Sequence, residues 1–113
     1  MPRRETPDQL ALAVGRRIRE LRQERGLSIQ ALAERSGVGS KGHLSNVERG
    51  LVRPNVHTLK QLADGLGVLL LDLVTFPRRG GRQRLVELTR TLGAAKIAEL
   101  IRLAARSGGA AGE

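Results

Sequence analysis

The sequence contains no cysteine, tryptophan or tyrosine, and a single phenylalanine, Phe76, among its 113 residues. Without cysteine there is no disulfide framework, no thiolate zinc site and no cysteine nucleophile. Proteins that bind single-stranded nucleic acid or RNA loops usually stack the bases on aromatic side chains. The shortage of aromatic residues therefore disfavours that mode of binding, whereas duplex DNA requires no aromatic platform.

Long apolar runs are also missing from the chain. The longest one, VLLLDLV over residues 68–74, is far shorter than the roughly 20 apolar residues that a membrane-spanning helix needs. The N-terminal stretch MPRRETPDQ has no apolar core of the kind found in signal peptides. The sequence therefore predicts a soluble cytoplasmic protein with no membrane partner.

Acidic side chains are outnumbered by basic ones, with 11 Asp and Glu against 20 Lys and Arg, a net charge of +9 and a pI near 11.6. Residues 1–75 carry twelve basic and eight acidic side chains, and residues 76–113 carry eight and three. This balance is typical of a protein with a polyanionic partner such as nucleic acid. Arginine clusters at residues 3–4 and 78–84 are candidates for phosphate contacts, and charge that only aids solubility explains them equally well.

The possible catalytic and cofactor-binding motifs lack the neighbouring residues that such sites require. The stretch Gly37–Gly42, GVGSKG, has the G-x-G-x-x-G spacing of a dinucleotide-binding loop, but that loop must follow a strand and here it follows a helical pattern. His43 and His57 are the only histidines, and no cysteine accompanies them as a metal ligand. No pair of carboxylates, and no nucleophile with a base, has a spacing in the sequence that indicates a catalytic site. The sequence thus predicts no enzyme, no metal and no cofactor.

Apolar residues at intervals of three and four predict helices throughout the chain, and no strand pattern is present. The first helix is predicted to begin at a Thr6 cap with Pro7 at its first position, and to end at Gly26. Its predicted core-facing positions are Leu10, Val14, Ile18 and Leu21.

Two short helices joined at a glycine are predicted next. Ser28 is placed to cap the first of them, which ends at Gly37. Ser40 is placed to cap the second, Lys41 to Arg49, which ends at Gly50. Its inward positions are Leu44 and Val47, and its outward positions are Gly42, His43, Ser45, Asn46 and Arg49.

A fourth and a fifth helix are predicted to complete the domain. Asn55 caps the fourth, Gly67 ends it, and residues 69–74 form a short fifth helix over the others. The predicted buried residues of the fourth helix are Val56, Leu59, Leu62, Ala63 and Leu66.

The C-terminal third has its own pattern. Phe76-Pro77 and the run RRGGR over residues 78–82 indicate a linker. Two apolar stripes, residues 85–92 and 97–104, are out of phase, which predicts two short helices meeting near Gly93. We expect residues 76–106 to be a linker and helical extension that mediates dimerisation, residues 107–113 to be disordered and residues 1–8 to be a basic arm.

Residues 14–74 resemble the Cro/lambda-repressor-like, or XRE-type, family of bacterial and phage regulators. The resemblance is carried, in this order, by VGRRIRELRQERGLS, LAERSGV, LSNVERG and RPNVHTLKQLADGLGV. It implies an all-α fold, in which residues 9–75 form a five-helix helix-turn-helix domain that a C-terminal helical extension follows. It also implies a nucleoid-associated regulator that binds double-stranded DNA sequence-specifically as a homodimer, with two recognition helices about 34 Å apart.

The resemblance further implies that residues 41–49 form the recognition helix in the major groove. Lys41, Gly42 and Asn46 match positions that approach base edges, with His43 and Ser45 beside them, and a solvated helix face is the alternative interpretation. Arg49 and Arg53 are expected nearer the phosphate backbone. The full candidate DNA-binding set is Ser28, Gln30, Ser40, Lys41, Gly42, His43, Ser45, Asn46, Arg49 and Arg53.

Three further features concern how this helix is held. The turn after Val38 is one residue longer than the usual family pattern. Ile29 stands where the family often has a phosphate-binding Gln, so Gln30 or free backbone N–H groups are expected to replace it. Arg22 and Glu48 match a structural ion pair that in similar proteins links the first helix to the recognition helix.

A different function class stays open from sequence alone. In this second interpretation, the chain is an antitoxin-like or adaptor subunit. Residues 82–106 would hold an acidic protein partner, and DNA binding would be secondary. The leucine-rich stripes of this segment are compatible with both self-association and a partner protein.

Overall fold

The computed structural model describes the backbone of residues 8–112 and the side chains of residues 8–108. The described chain is all-α and has no strand, which confirms the predicted fold class. Its helices are α1 (Gln9–Glu24), α2 (Ile29–Ser36), α3 (Lys41–Glu48), α4 (Val56–Leu66), α5 (Leu70–Leu73), α6 (Gly81–Thr89) and α7 (Ala94–Gly112). The first five helices enclose the buried core, and α6 and α7, here called the extension, follow them. None of the helices in this range is long and apolar enough to cross a bilayer.

Side-chain caps start the three helices that follow α1, as the sequence predicts. The Ser28 and Ser40 hydroxyls and the Asn55 side-chain carbonyl each accept a hydrogen bond from the backbone N–H three residues later, at 3.0, 3.1 and 2.8 Å. Each cap satisfies one of the backbone donors that a helix start leaves without an intrahelical partner. These local contacts set where α2, α3 and α4 begin.

The start of α1 differs from the prediction. Asp8, not Thr6, is the N-cap, and its carboxylate accepts the backbone N–H of Ala11 at 3.1 Å. Thr6 and Pro7 lie outside the described residues. Aspartate is among the best capping residues, and the Arg53 guanidinium also donates to the Asp8 carboxylate at 3.1 Å. That second contact, 45 residues away in the chain, has no local signal in the sequence.

The core lies between the first five helices. Two residues predicted to face it, Leu10 and Val56, are instead 63% and 66% exposed. Both lie in the first turn of their helix, where the Cα–Cβ bond points back toward the N-terminus and carries the side chain past the packed layer. The largest fully buried side chains are Ile18, Leu21, Leu32, Leu44, Val47, Leu62, Leu66 and Leu73.

α1 crosses the end of α3 at a glycine. A Cβ atom placed on Gly15 would collide with the backbone carbonyl oxygens of Val47 and Glu48. Only glycine permits this close approach of the two backbones. The contact positions the C-terminal end of α3 against the middle of α1.

The extension contains the two helices predicted on either side of Gly93, but their limits differ. α6 begins at Gly81, inside the segment expected to be a linker, and α7 continues to Gly112, where the composition predicts disorder. Alanine is the strongest helix former, and four of residues 104–111 are alanine. This preference offsets the glycines among them.

Candidate DNA-binding surface

α3 has one buried and one open face. Leu44 and Val47 are fully buried in the core, whereas Lys41, Gly42 and Arg49 are exposed and the remaining outward residues are half-exposed. The open face therefore carries short polar and basic groups that are free to meet a ligand. This outer face of α3 consists of Lys41, Gly42, His43, Ser45, Asn46 and Arg49.

Two glycines shape the turn that leads into α3. Gly37 has φ 71° and Gly39 has φ 99°, and both values lie in the left-handed region that favours glycine. The Ser40 cap then starts α3 at Lys41, the residue predicted from the sequence. The turn thus accommodates its additional residue before the helix begins.

An ion pair fixes the other end of α3. Arg22 Nε lies 2.7 Å from Glu48 Oε2, and Arg22 Nη2 lies 3.1 Å from Glu48 Oε1. The third guanidinium nitrogen donates to the Leu27 carbonyl at 2.8 Å. Both charged side chains are buried, and bidentate pairing of this kind constrains orientation as well as distance. The pair ties α3 to α1 and to the turn before α2.

The start of α2 presents a different set of contacts from the outer face of α3. Ile29 packs against the core, so it leaves no polar group at this position. The Gln30 amide is exposed and donates to the Glu34 carboxylate at 3.0 Å. Ser28 is exposed and its hydroxyl caps α2. The Gln30 amide nitrogen has a second N–H donor, which this bond leaves available for a phosphate contact.

The two arginines expected near the backbone of DNA have different surroundings. Arg49 ends α3, is exposed and has no carboxylate within salt-bridge distance among residues 8–108. Arg53 is paired with Asp8 at 3.1 Å, and its side chain is more than half exposed. Because exposed pairs contribute little free energy, a phosphate can compete with Asp8 for Arg53.

A four-charge network of Arg17, Glu24, Glu87 and Arg90, not anticipated from the sequence, joins α6 to α1. Arg17 donates to Glu87 at 2.6 and 3.3 Å, and Arg90 donates to Glu24 at 2.9 Å through each of two nitrogens and to Glu87 at 2.9 Å. The Arg17 side chain, only 4% exposed, also donates to the Asp72 carbonyl at 2.8 Å. α6 itself has no buried residue. Its docking on α1 is therefore mainly electrostatic.

The network shifts the acidity of its carboxyl groups. Hydrogen bonds from Arg17, and then from Arg90, lower the pKa of Glu87 to about 2. The hydrogen bond from Arg90 likewise lowers the pKa of Glu24, and the two carboxylates raise the pKa of Arg90. The Glu87–Arg90 spacing is recognisable on a helix, but the partners on α1 lie 66 to 70 residues away.

α6 lies away from the outer face of α3. Gly15 touches α3, and Glu24, which binds α6 through Arg90, lies nine residues further along α1. At about 100° per residue, nine residues turn half-way round the helix. α3 and α6 therefore pack on opposite sides of α1.

Acidification is expected to release α6 from α1. The pKa of Glu87 is lowered from 4.5 to about 2 in the folded chain, so its contribution to docking is complete above about pH 4.5 and is lost as the pH falls toward 2. NMR of labelled Glu87 and Arg17 side chains across this range measures the release. Glu87→Gln is expected to undock α6 already at neutral pH while the signals of the first five helices persist. Unchanged α1–α6 contacts in this variant would contradict the electrostatic account of docking.

Comparison with protein families identifies the class of this fold. A family model described as a helix-turn-helix domain matches residues 13–74, more than half of the chain. The chain belongs to this family, and its relatives are DNA-binding transcriptional regulators of the XRE type.

Curated relatives share the same region. The HTH-type transcriptional regulator DdrOP3 of Deinococcus deserti is 43% identical over 58 residues, which are 51% of this chain and 44% of the relative. The uncharacterized HTH-type transcriptional regulator y4dJ of Sinorhizobium fredii is 45% identical over 62 residues, 55% of this chain and 79% of the relative. The immunity repressor protein of Bacillus phage phi105 is 35% identical over 63 residues, 56% of this chain and 43% of the relative. The chain thus spans less than half of the Deinococcus and phage relatives.

Solved structures have a similar helical arrangement. The restriction-modification controller protein C.AhdI from Aeromonas hydrophila aligns with a TM-score of 0.54 and 33% identity over 56% of this chain and 94% of its own. The hypothetical transcription factor NHTF from Neisseria aligns with a TM-score of 0.60 and 26% identity over 75% of this chain and 97% of its own. These similarities support the fold of the first five helices.

Proposed function

We propose that this chain is a sequence-specific, double-stranded DNA-binding transcriptional regulator that acts as a homodimer on an operator. The observation that carries the proposal is the outer face of α3, which is open, polar and basic on a helix fixed at both ends. Ser40 caps its start and the Arg22–Glu48 pair holds its end. A helix anchored in this way can enter a major groove in a single register.

Each part of the surface has a role suited to its chemistry. Asn46 can bind adenine through two hydrogen bonds, and Lys41 can donate to the acceptors of guanine. Arg49, Arg53 and the backbone N–H groups at the start of α2 supply phosphate contacts, which position the protein without reading sequence. Gly42, His43 and Ser45 complete the face toward the bases.

A duplex should be preferred over a single strand because the outer face of α3 carries no Phe, Tyr or Trp side chain on which bases could stack. Fluorescence anisotropy with a labelled duplex and its separate strands measures this preference. Tighter binding to the duplex supports the proposal, and equal or tighter binding to the single strands contradicts it.

The extension supplies a surface for dimerisation. Leu85 and Leu88 on α6, and Ile101 and Leu103 on α7, are each more than half exposed. Leu69, the N-cap of α5, and Leu71 on α5 are also more than half exposed. Exposed large apolar side chains, where they form a patch, mark sites of association. We assign the stabilising contact of the dimer to residues 76–106 and leave α5 as the alternative.

Truncation after Pro77 is expected to weaken self-association, because it removes the apolar residues of α6 and α7 and retains Phe76, which packs on the core. Sedimentation equilibrium measures the change. Leu85→Glu with Leu88→Glu in the full chain is the matched variant, and both positions are exposed, so the fold should persist. Unchanged self-association in both proteins would move the dimer surface to α5.

A second function is favoured by the charge and exposed leucines of the extension. The chain would then be an antitoxin-like or adaptor subunit whose residues 82–106 hold an acidic protein. Residues 76–113 carry eight basic and three acidic side chains, which complement such a partner. Affinity capture from the native host separates the two functions, because the adaptor function requires a stoichiometric heterologous protein and the regulator function does not.

A further inference from the structure

A cleft with charged lining residues lies away from the outer face of α3. It is formed between α1 and the connection from α5 to α6, and its volume is about 390 Å³. Pockets that hold small molecules have volumes of roughly 300–1,000 Å³. The cleft is therefore large enough for a small organic ligand.

The charge lining this cleft is predominantly positive. Four arginines contribute to it, Arg16 and Arg17 from α1 and Arg78 and Arg79 from the connection. The only acidic side chains among its described lining residues are two glutamates, at positions 20 and 87. The cleft thus has an excess of two positive charges.

Both glutamates are already engaged by arginine. Glu87 accepts hydrogen bonds from Arg17 and belongs to the four-charge network, and Glu20 lies 3.7 Å from Arg17 and 4.0 Å from Arg78. Arg16 and Arg79, by contrast, have no carboxylate partner among residues 8–108, where the cleft glutamates pair with Arg17 and Arg78. These two guanidinium groups are available to an anion.

One wall of the cleft is formed by apolar side chains. Phe76 and Pro77 line it, and the Arg79 guanidinium carbon lies 4.6 Å from the centre of the Phe76 ring. Stacking on an aromatic face holds a guanidinium group in a defined plane while leaving its edge free to donate hydrogen bonds. An anionic group bound at that edge would bring an attached apolar group close to Pro77 and to the exposed rim of the Phe76 ring.

We propose that this cleft binds a small organic anion, a phosphate ester or carboxylate carried on a planar apolar group. Arg16 and Arg79 hold the anionic group through charge-assisted hydrogen bonds, and Phe76 and Pro77 contact the ring. The bound anion bridges α1 to the segment that leads into α6. It therefore strengthens docking of the extension and acts as an effector on its position.

Phenyl phosphate is a suitable probe because it combines both features, and inorganic phosphate and phenol each carry one of them. Phe76 is the chain's only phenylalanine, so a ¹³C-labelled phenylalanine reports this cleft alone. We expect saturable shifts of its ring signals with phenyl phosphate, and binding at least tenfold weaker with phosphate or phenol. The titration contains no DNA, so its result is independent of operator binding.

Arg16→Gln and Arg79→Gln test the two proposed anion ligands. Each is expected to weaken phenyl phosphate binding roughly tenfold, because a hydrogen bond to a charged group is lost. Arg102→Gln, on α7 and outside the described cleft lining, is the matched control and should bind the probe normally. Circular dichroism verifies that all three variants are folded.

Two results would overturn this proposal. One is the absence of a saturable Phe76 shift, and the other is equal weakening in the Arg102 control, which would indicate unspecific attraction to a basic protein. A loss of DNA affinity in Arg16→Gln and Arg79→Gln without any phenyl phosphate binding by the native chain would assign these arginines to DNA phosphates instead.

Discussion

Asn46→Ala is expected to weaken binding to the best operator by about 1–3 kcal/mol and to change binding to random duplex DNA little, because a bidentate base contact discriminates by that amount. Asn46 is half-exposed on the outer face of α3, two residues after the buried Leu44. Its side chain has no hydrogen-bond partner within residues 8–108 that would have to be displaced. Specificity should therefore fall toward the nonspecific level.

Arg53→Ala provides the contrast to this variant. Arg53 lies in the loop after α3 and is more than half exposed beside Asp8. A phosphate contact carries no base information, so its loss should weaken binding to all sequences alike and reduce the salt slope by about one.

Titrations of both variants against a selected operator and a scrambled duplex, at several salt concentrations, separate base reading from positioning. The expected pattern is a sequence-dependent loss for Asn46→Ala and a uniform loss for Arg53→Ala. If Asn46→Ala weakens both duplexes equally, α3 lies in the groove in another register, and the base-reading role passes to Lys41 and His43.

Glu48→Ala is expected to destabilise the fold by about 3–5 kcal/mol, since removing one partner leaves a buried charge uncompensated. Arg22 would retain only the Leu27 carbonyl as an acceptor. Small domains have a net stability of roughly 5–15 kcal/mol, so this single change removes a large part of it. Urea unfolding followed by circular dichroism measures the free energy of unfolding.

An exposed ion pair serves as the control for this variant. Lys60 and Asp64 on α4 are 2.6 Å apart, and both side chains are more than half exposed. Asp64→Ala should cost less than about 1 kcal/mol because exposed pairs contribute little. A cost for Glu48→Ala no larger than that of Asp64→Ala would contradict the structural role assigned to the Arg22–Glu48 pair.

The features that could be predicted from the sequence depend on neighbouring residues. Ser28, Ser40 and Asn55 cap their helices through the backbone N–H three residues away, and Gly37 adopts the left-handed conformation that ends α2. The bounds of α3 follow from such local chemistry. Its assignment as a DNA-reading helix came from the family resemblance, because a polar helix face alone is equally compatible with plain solvation.

The features that could not be predicted depend on residues distant in the chain. Arg17 is buried by its contacts with Asp72 and Glu87, and these partners lie 55 and 70 residues away in the chain, where no spacing pattern points to them. Asp8 is a second example. It caps α1 and also pairs with Arg53, which lies 45 residues away in the chain. Periodicity also predicts that Leu10 is buried, which is wrong, because a pattern of spacing does not show which turns of a helix are covered by neighbouring helices.

Selection of binding sites from random duplex DNA, followed by sequencing, is the most direct test of the central claim that α3 reads a DNA sequence in a homodimer. We expect an enriched, nearly palindromic site with two half-sites whose centres lie about 10 base pairs, or one helical turn, apart. Asn46→Ala should lose this enrichment while Asp64→Ala retains it. If the native chain enriches no preferred sequence, α3 does not read DNA sequence in the way proposed.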